Sequence, residues 1–213
     1  MDRIEREHLT WGPYVMRTKL PQDVIEEFKK RAEKTIISDN NQLAGHLKDQ
    51  RKFNEPDFDW FWDDIFPNYW KAYRDGHCTY HNIPNKPVNY KPRSLWVNFM
   101  KANEYNPPHI HTGHYSFVIF LDVPEELKKE QQEFQGTNLG PGTLFFNYGE
   151  VTNPQWTSNM RNVKPENGDF LIFPALTQHY VAPFKSDVTR ISVSGNFDLV
   201  KLSNIDYEDM SYF

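Results

Sequence analysis

The stretch Asn106-Pro107-Pro108-His109-Ile110-His111-Thr112-Gly113-His114 holds three of the chain's eight histidines and leads directly into an apolar segment, Ser116-Phe117-Val118-Ile119-Phe120-Leu121. Successive side chains of an extended segment alternate faces, so His109 and His111 point the same way. Two imidazoles side by side at a strand end make half of a metal site. A third ligand, and a use for the metal, have to come from elsewhere in the chain.

The surrounding texture is that of a β-rich core. From residue 91 onward, short apolar runs alternate with Gly, Pro and Asn. Residues 94–100 read as a strand with Leu95, Val97 and Phe99 on one face and Trp96, Asn98 and Met100 on the other. Residues 116–121 are nearly continuously apolar, as in a strand covered on both faces. Residues 127–135 are a charged excursion, a loop or short helix. Further strands are expected at 142–148, 170–174, around 179–183 and at 189–197, with a polar, Asn-rich loop over 149–162. Seven or eight short strands over this span predict a double-stranded β-helix, or jelly roll.

Before this core, Pro13, after Gly12, breaks an early stretch with Trp11, Tyr14, Val15 and Met16, which predicts an edge strand. Pro21 opens a helix on which Val24, Ile25, Phe28, Ala32 and Ile36 recur at helical spacing, ending at 39–41. A second helix is expected over 57–73, dense in aromatic residues and kinked at Pro67. Its aromatic band reads as a face packed on a sheet. His46, His77 and His81 have no partner at metal spacing. The chain thus divides into a helical, aromatic-rich support region (1–93), the β core (94–197) and an acidic tail (198–213), within one domain spanning 1–213.

The bulk numbers narrow the classes. The chain has 213 residues, a net charge of -5 with both signs mixed, and a single cysteine, Cys78. No basic field marks it as a nucleic-acid binder. One cysteine excludes an internal disulfide framework and suits a reducing compartment. No apolar run is long enough to span a bilayer, and the first thirty residues lack a signal-peptide core. The expectation is a cytoplasmic protein without a membrane partner. No signal for oligomeric state is present.

His179 supplies a third imidazole. It follows the 170–174 strand and is the only histidine after His114. A late strand of a sandwich can lie beside one from the middle of the chain, which would bring His179 to His109 and His111. Imidazole ligates iron, zinc, copper and nickel alike, so the ligands alone do not choose the metal. Eleven residues later, Arg190-Ile191-Ser192 places a guanidinium and a hydroxyl on one strand face. That pair makes a good carboxylate clamp. A metal beside a carboxylate clamp suggests a chelating keto-acid.

The order Tyr105, His109-x-His111, a buried strand, Gly168-Asp169-x-Leu171-x-Phe173-Pro174, His179 and Arg190-x-Ser192 resembles the 2-oxoglutarate/Fe(II)-dependent oxygenases. More narrowly it resembles their prolyl-hydroxylase-like branch and related oxygenases of bacteria and phages. The resemblance covers about residues 94–197. It implies iron at the mouth of the barrel and 2-oxoglutarate held by Arg190 and Ser192, with Asn98 and Tyr105 as further cosubstrate contacts. It also implies decarboxylation to succinate and CO2, hydroxylation of a protein side chain or small molecule, and ascorbate as a candidate reductant. If phage-encoded, the protein would act in the host cytoplasm.

One position departs from the pattern. The resemblance calls for an acid where His111 stands. Three outcomes follow: a three-His iron site from His109, His111 and His179; His114 replacing one of the pair; or a different metal or none. A cupin-type three-His dioxygenase or isomerase is a second enzyme reading. A cupin, however, expects an acid a few residues on, where Tyr115 and Ser116 stand. A binding module on an oxygenase scaffold is the non-enzyme reading.

Overall fold

The computed structural model describes residues 12–40, 45–136, 140–149 and 159–200. The expectations for Trp11, for most of the 149–162 loop and for residues 201–213 of the tail fall outside these. Two antiparallel sheets face each other. The larger has seven strands in the order β1 (Met16–Lys19), β9 (Asp169–Pro174), β6 (Tyr115–Asp122), β11 (Arg190–Val200), β4 (Asn89–Met100), β3 (Gln50–Lys52) and β2 (Ile37–Ser38). The smaller runs β5 (Asn106–His109), β10 (Gln178–Val181), β7 (Leu144–Asn147) and β8 (Met160–Val163). This is the expected double-stranded β-helix arrangement, with β1 as the edge strand.

The alternation read along residues 94–100 is realised in β4. Leu95 and Val97 are buried against helices on the outer face of the large sheet, with Phe99 packed beside them. Met100 lies in a second core between the sheets, with Phe120, Leu171, Phe173, Leu144 and Phe146. β6 is covered on both faces, as its continuous apolar sequence requires.

The outer core is aromatic. α1 (Gln22–Lys34) contributes Ile25, Phe28 and Ala32. A long helical rod follows: α2 (Glu55–Asp59), a π-helical turn (Trp60–Ile65) and α3 (Phe66–His81). The π turn answers the proline problem. Pro67 has no N–H, and its ring would crowd the carbonyl four residues back in a regular helix. Phe66 N–H instead bonds to Phe61 O, five residues back, so the rod continues through Pro67 rather than breaking. Two of the larger aromatic side chains bury their rings and send their polar tips to backbone carbonyls: Trp70 Nε1 donates to Val88 O (3.0 Å) and Tyr73 Oη to Tyr14 O (3.0 Å).

Several boundaries differ from expectation. α1 stops at Lys34 because Thr35 turns extended and donates its hydroxyl to Lys52 O (2.8 Å), feeding the chain into the β2–β3 pair. Ile36, expected on the helix's apolar face, is 86% exposed. The second helix runs on to His81, where Asn82 takes a left-handed conformation (φ 54°) and ends it. The charged excursion is a helix, α4 (Glu125–Glu133). Met160–Val163, expected within a loop, is strand β8, and β11 extends to Val200, three residues into the expected tail. No helix among the described residues is long and apolar enough to cross a membrane.

Two outcomes test this packing. Phe66 is fully buried among Trp62, Tyr90 and Phe197, with ring centroids 4.7–4.9 Å away. Phe66→Ala should lower stability to urea by about 3–5 kcal/mol. His77, buried beside Tyr73, has its pKa lowered from 6.5 to about 4, by burial first and by nearby His81 second. The unfolded chain therefore takes up this proton at higher pH than the fold does. The group's contribution to stability is complete above pH 6.5 and is lost as pH falls toward 4. His77→Gln should make the acid-side decline in denaturation midpoint shallower over that window.

Candidate metal centre

β5 is an edge strand, so Pro107 and Pro108 are tolerated there without costing ladder hydrogen bonds. Its partner is β10, and the register places His179 directly opposite His109. His111 lies two residues past the end of β5 and is pinned by its N–H donating to Ala175 O (2.9 Å). One ligand nitrogen from each of His109, His111 and His179 lies within 4.8 Å of the other two. Among the described residues no acid joins them.

The tautomers follow from the partners. His109 Nδ1 faces Pro107 O at 2.7 Å and His179 Nδ1 faces Thr177 O at 2.9 Å. A carbonyl only accepts, so both Nδ1 atoms carry the proton and both Nε2 lone pairs are free. His179 Nε2 lies 3.1 Å from His111 Nε2. Two facing lone pairs at that distance repel unless a proton or a cation sits between them. The distance is also about that of adjacent ligands at right angles on a metal with bonds of roughly 2.1 Å. Burial, then the neighbouring imidazoles, push the His111 pKa down to about 3. Burial, then His109, push His179 to about 4. Burial lowers His109 as well. All three are neutral and able to ligate at physiological pH.

The histidines line a cavity of about 350 Å³ between the sheets. Its large-sheet wall comes from two paired strands. Ser192 is in register with Asn98 and Ser194 with Trp96, while Arg190 opens β11 opposite Met100. Arg190, Ser192, Ser194, Asn196, Asn98 and Trp96 all face the cavity. Arg190 is 2% exposed, with Nη1 donating to Gly142 O (3.1 Å) and the guanidinium 5.3 Å from the Phe120 ring. Its Nε has no partner, and among the described residues no carboxylate pairs with it. Burial pushes its pKa down to about 10, so it remains a cation at neutral pH. Asn98, 6% exposed, leaves Oδ1 unpartnered as well.

Two sequence candidates stand apart. Tyr105 does not line the cavity; its ring stacks on His46 at 5.0 Å and its carbonyl accepts from His46 N–H. His114, the alternate ligand, lies outside the cluster and is spoken for: Leu199 N–H donates to its Nδ1 (2.9 Å), and Asp198 lies 3.3 Å away. Polar lining residues not expected from the sequence include Asp39, Gln50, Ser94, Ser194 and Asn196. Asn196 was accessible from the sequence, since it extends the Arg190, Ser192, Ser194 alternation by one step. Asp39 and Gln50 carried no signal, because only the β2–β3–β4 pairing brings them in.

An unpaired buried cation is a cost to the empty fold. Arg190→Met should leave the thermal midpoint of the ligand-free protein unchanged or raise it, as read by scanning calorimetry.

A family model described as "Putative 2OG-Fe(II) oxygenase" matches residues 94–196. A search among curated proteins finds no match. Solved structures similar to this chain include a 2OG-Fe(II) oxygenase family oxidoreductase from Burkholderia pseudomallei (TM-score 0.56, 10% identity, covering 87% of this chain and 84% of that one). They also include a Pseudomonas putida prolyl-4-hydroxylase (TM-score 0.52, 12% identity, 86% and 91%). A third is a viral collagen prolyl hydroxylase from Paramecium Bursaria Chlorella virus-1, solved with 2OG (TM-score 0.51, 14% identity, 86% and 95%). At these identities the likeness is one of fold. The matched span holds most of β4 through most of β11, with the histidine cluster and the buried arginine inside it, and it is over residues 94–196 that the chain is similar to the 2-oxoglutarate/Fe(II)-dependent oxygenases.

Proposed function

We propose that this chain is a 2-oxoglutarate- and Fe(II)-dependent hydroxylase acting on a protein side chain or a small molecule. The single observation that carries the reading is Arg190: a buried guanidinium without an anionic partner, in the same cavity as three converging neutral imidazoles.

In this reading His109, His111 and His179 hold iron through their Nε2 atoms. The carbonyls of Pro107 and Thr177 orient the His109 and His179 rings and fix their tautomers. Arg190 receives the distal carboxylate of 2-oxoglutarate, with Ser192 and Asn98 beside it. Phe120, Leu144, Phe173 and Val181 line the cavity too and keep water from competing for that ion pair. Bound iron supplies the redox chemistry by which one O2 converts 2-oxoglutarate to succinate and CO2 and hydroxylates the substrate.

The expected result is a visible charge-transfer band when 2-oxoglutarate is added anaerobically to metal-stripped protein reloaded with Fe(II). His179→Ala should lose iron. Arg190→Ala should keep iron and weaken 2-oxoglutarate binding by about 30-fold or more, equivalent to a charge-assisted hydrogen bond of about 2 kcal/mol. Unchanged affinity in Arg190→Ala would show that the clamp is assigned wrongly.

A second reading has one observation in its favour. His111 occupies the position of the expected acid, and a module that binds both groups without turnover would tolerate that exchange. Succinate formation in the presence of oxygen separates the two.

A further inference from the structure

Resting on that reading, we propose a second, separate subsite in the same cavity that recognises an ammonium- and hydroxyl-bearing small molecule as the primary substrate. The cavity has two charged poles. Arg190 marks one. The other is Asp39, the one carboxylate among the described residues lining it. The two do not pair. Asp39 follows β2, while Arg190 opens β11. Those strands are three positions apart in the sheet, roughly 14 Å at the usual interstrand spacing.

Asp39 is held in place. Its N–H donates to Gln50 O (2.9 Å), and Gln50 Nε2 donates back to Asp39 O (3.2 Å) and to Oδ2 (3.3 Å). Gln50 is buried and in register with Asn98, so the acid is positioned from the same rung of the sheet as Ser192. A negative group here repels the dicarboxylate that Arg190 attracts. It therefore belongs to the recognition of something else.

Asn196 is an independent sign of a ligand. It is 7% exposed, lines the cavity, and its Oδ1 has no partner. Trp96 lines the same cavity, its ring 5.6 Å from that of His111. An aromatic wall with a flanking carboxylate and an unfilled amide acceptor suits an ammonium group with neighbouring hydroxyl donors. His111 abuts the same ring, so a molecule resting on Trp96 is beside the histidine cluster where the reaction takes place.

Three sugars of one shape and different charge make the probe: glucosamine, glucose and glucuronate. They are titrated calorimetrically and anaerobically into protein loaded with Fe(II) and 2-oxoglutarate, after 2-oxoglutarate itself has been titrated. Glucosamine is expected to bind about 10-fold tighter than glucuronate, the equivalent of one partly screened ion pair. Asp39→Asn should bring the two within about 2-fold of each other while leaving 2-oxoglutarate affinity unchanged. Asn196→Leu should weaken glucosamine and glucose alike. The subsite is overturned if glucosamine fails to bind at millimolar concentration, if glucuronate matches it, or if Asp39→Asn changes nothing. It is overturned equally if Asp39→Asn also loses 2-oxoglutarate. Failure of 2-oxoglutarate to bind the unaltered protein instead removes the oxygenase reading, and the three-sugar comparison without 2-oxoglutarate then judges Asp39 by itself.

Discussion

Strand β11 is hydrogen-bonded along most of its length to β4 on one side and β6 on the other, so its side chains can only alternate between the two faces of the large sheet. That constraint sorts the whole molecule. Val193 and Phe197 go outward into the aromatic core under the helices, with Ile191 at its margin. Arg190, Ser192, Ser194 and Asn196 go inward to the cavity. A slip of one residue would turn the guanidinium toward the helix-covered face and a valine toward the cavity. Gly195 protects the register. A Cβ there would lie 2.6 Å from the Phe117 ring and 2.7 Å from Ser94 O, so only glycine lets that ring cover the strand. Loss of the glycine would strike the pairing that aims Arg190.

The helices serve the site from the far side of the sheet. Rings from Phe61, Trp62, Phe66 and Trp70 bury one face of β4, β6 and β11, and the inner face is left free to be polar without unfolding the sheet. The site could not hold its own strands together. Arg190 is unpaired, Asn98 and Asn196 leave acceptors unmet, and the imidazoles face one another. Each is a cost in the empty protein that the aromatic core offsets. The same groups are the ones a dicarboxylate, a cation or a hydroxylated ligand would satisfy, so strain in the empty site and capacity to bind are one property.

Much of this was legible in the chain because its period is local. Alternation over 94–100 predicts which residues meet the helices and which meet the cavity, and an apolar run at 116–121 predicts a strand covered twice. That His109, His111, His179, Arg190 and Ser192 gather around one cavity follows the expectation from their types and order. Pairing across the sequence was not. Thr35 ends a helix because Lys52 offers it a carbonyl, and Pro67 sits in an unbroken rod because a π turn absorbs it. Tyr105 turns away from the cavity because His46 stacks on it, and Asp39 enters the cavity because Gln50 pairs with Asn98. Apart from the π turn, which is local, each of those outcomes depends on a partner far along the chain.

The imidazole at position 111 changes the electrostatics of the proposed function in a definite direction. Two histidines and a carboxylate would cancel one of the two charges of a divalent ion, whereas three neutral histidines cancel none. The cation then shares a low-dielectric cavity with the Arg190 guanidinium, and like charges there oppose each other more strongly than in water. A dicarboxylate that reaches both relieves the repulsion, so metal and 2-oxoglutarate would each bind better in the presence of the other, by the same factor. With two positive charges on iron, one on Arg190 and two negative charges on 2-oxoglutarate, one positive charge is left over. Asp39 lines the same cavity but is not part of the histidine cluster, so in the proposed subsite its charge would meet a substrate ammonium rather than stand in for the acid absent from position 111.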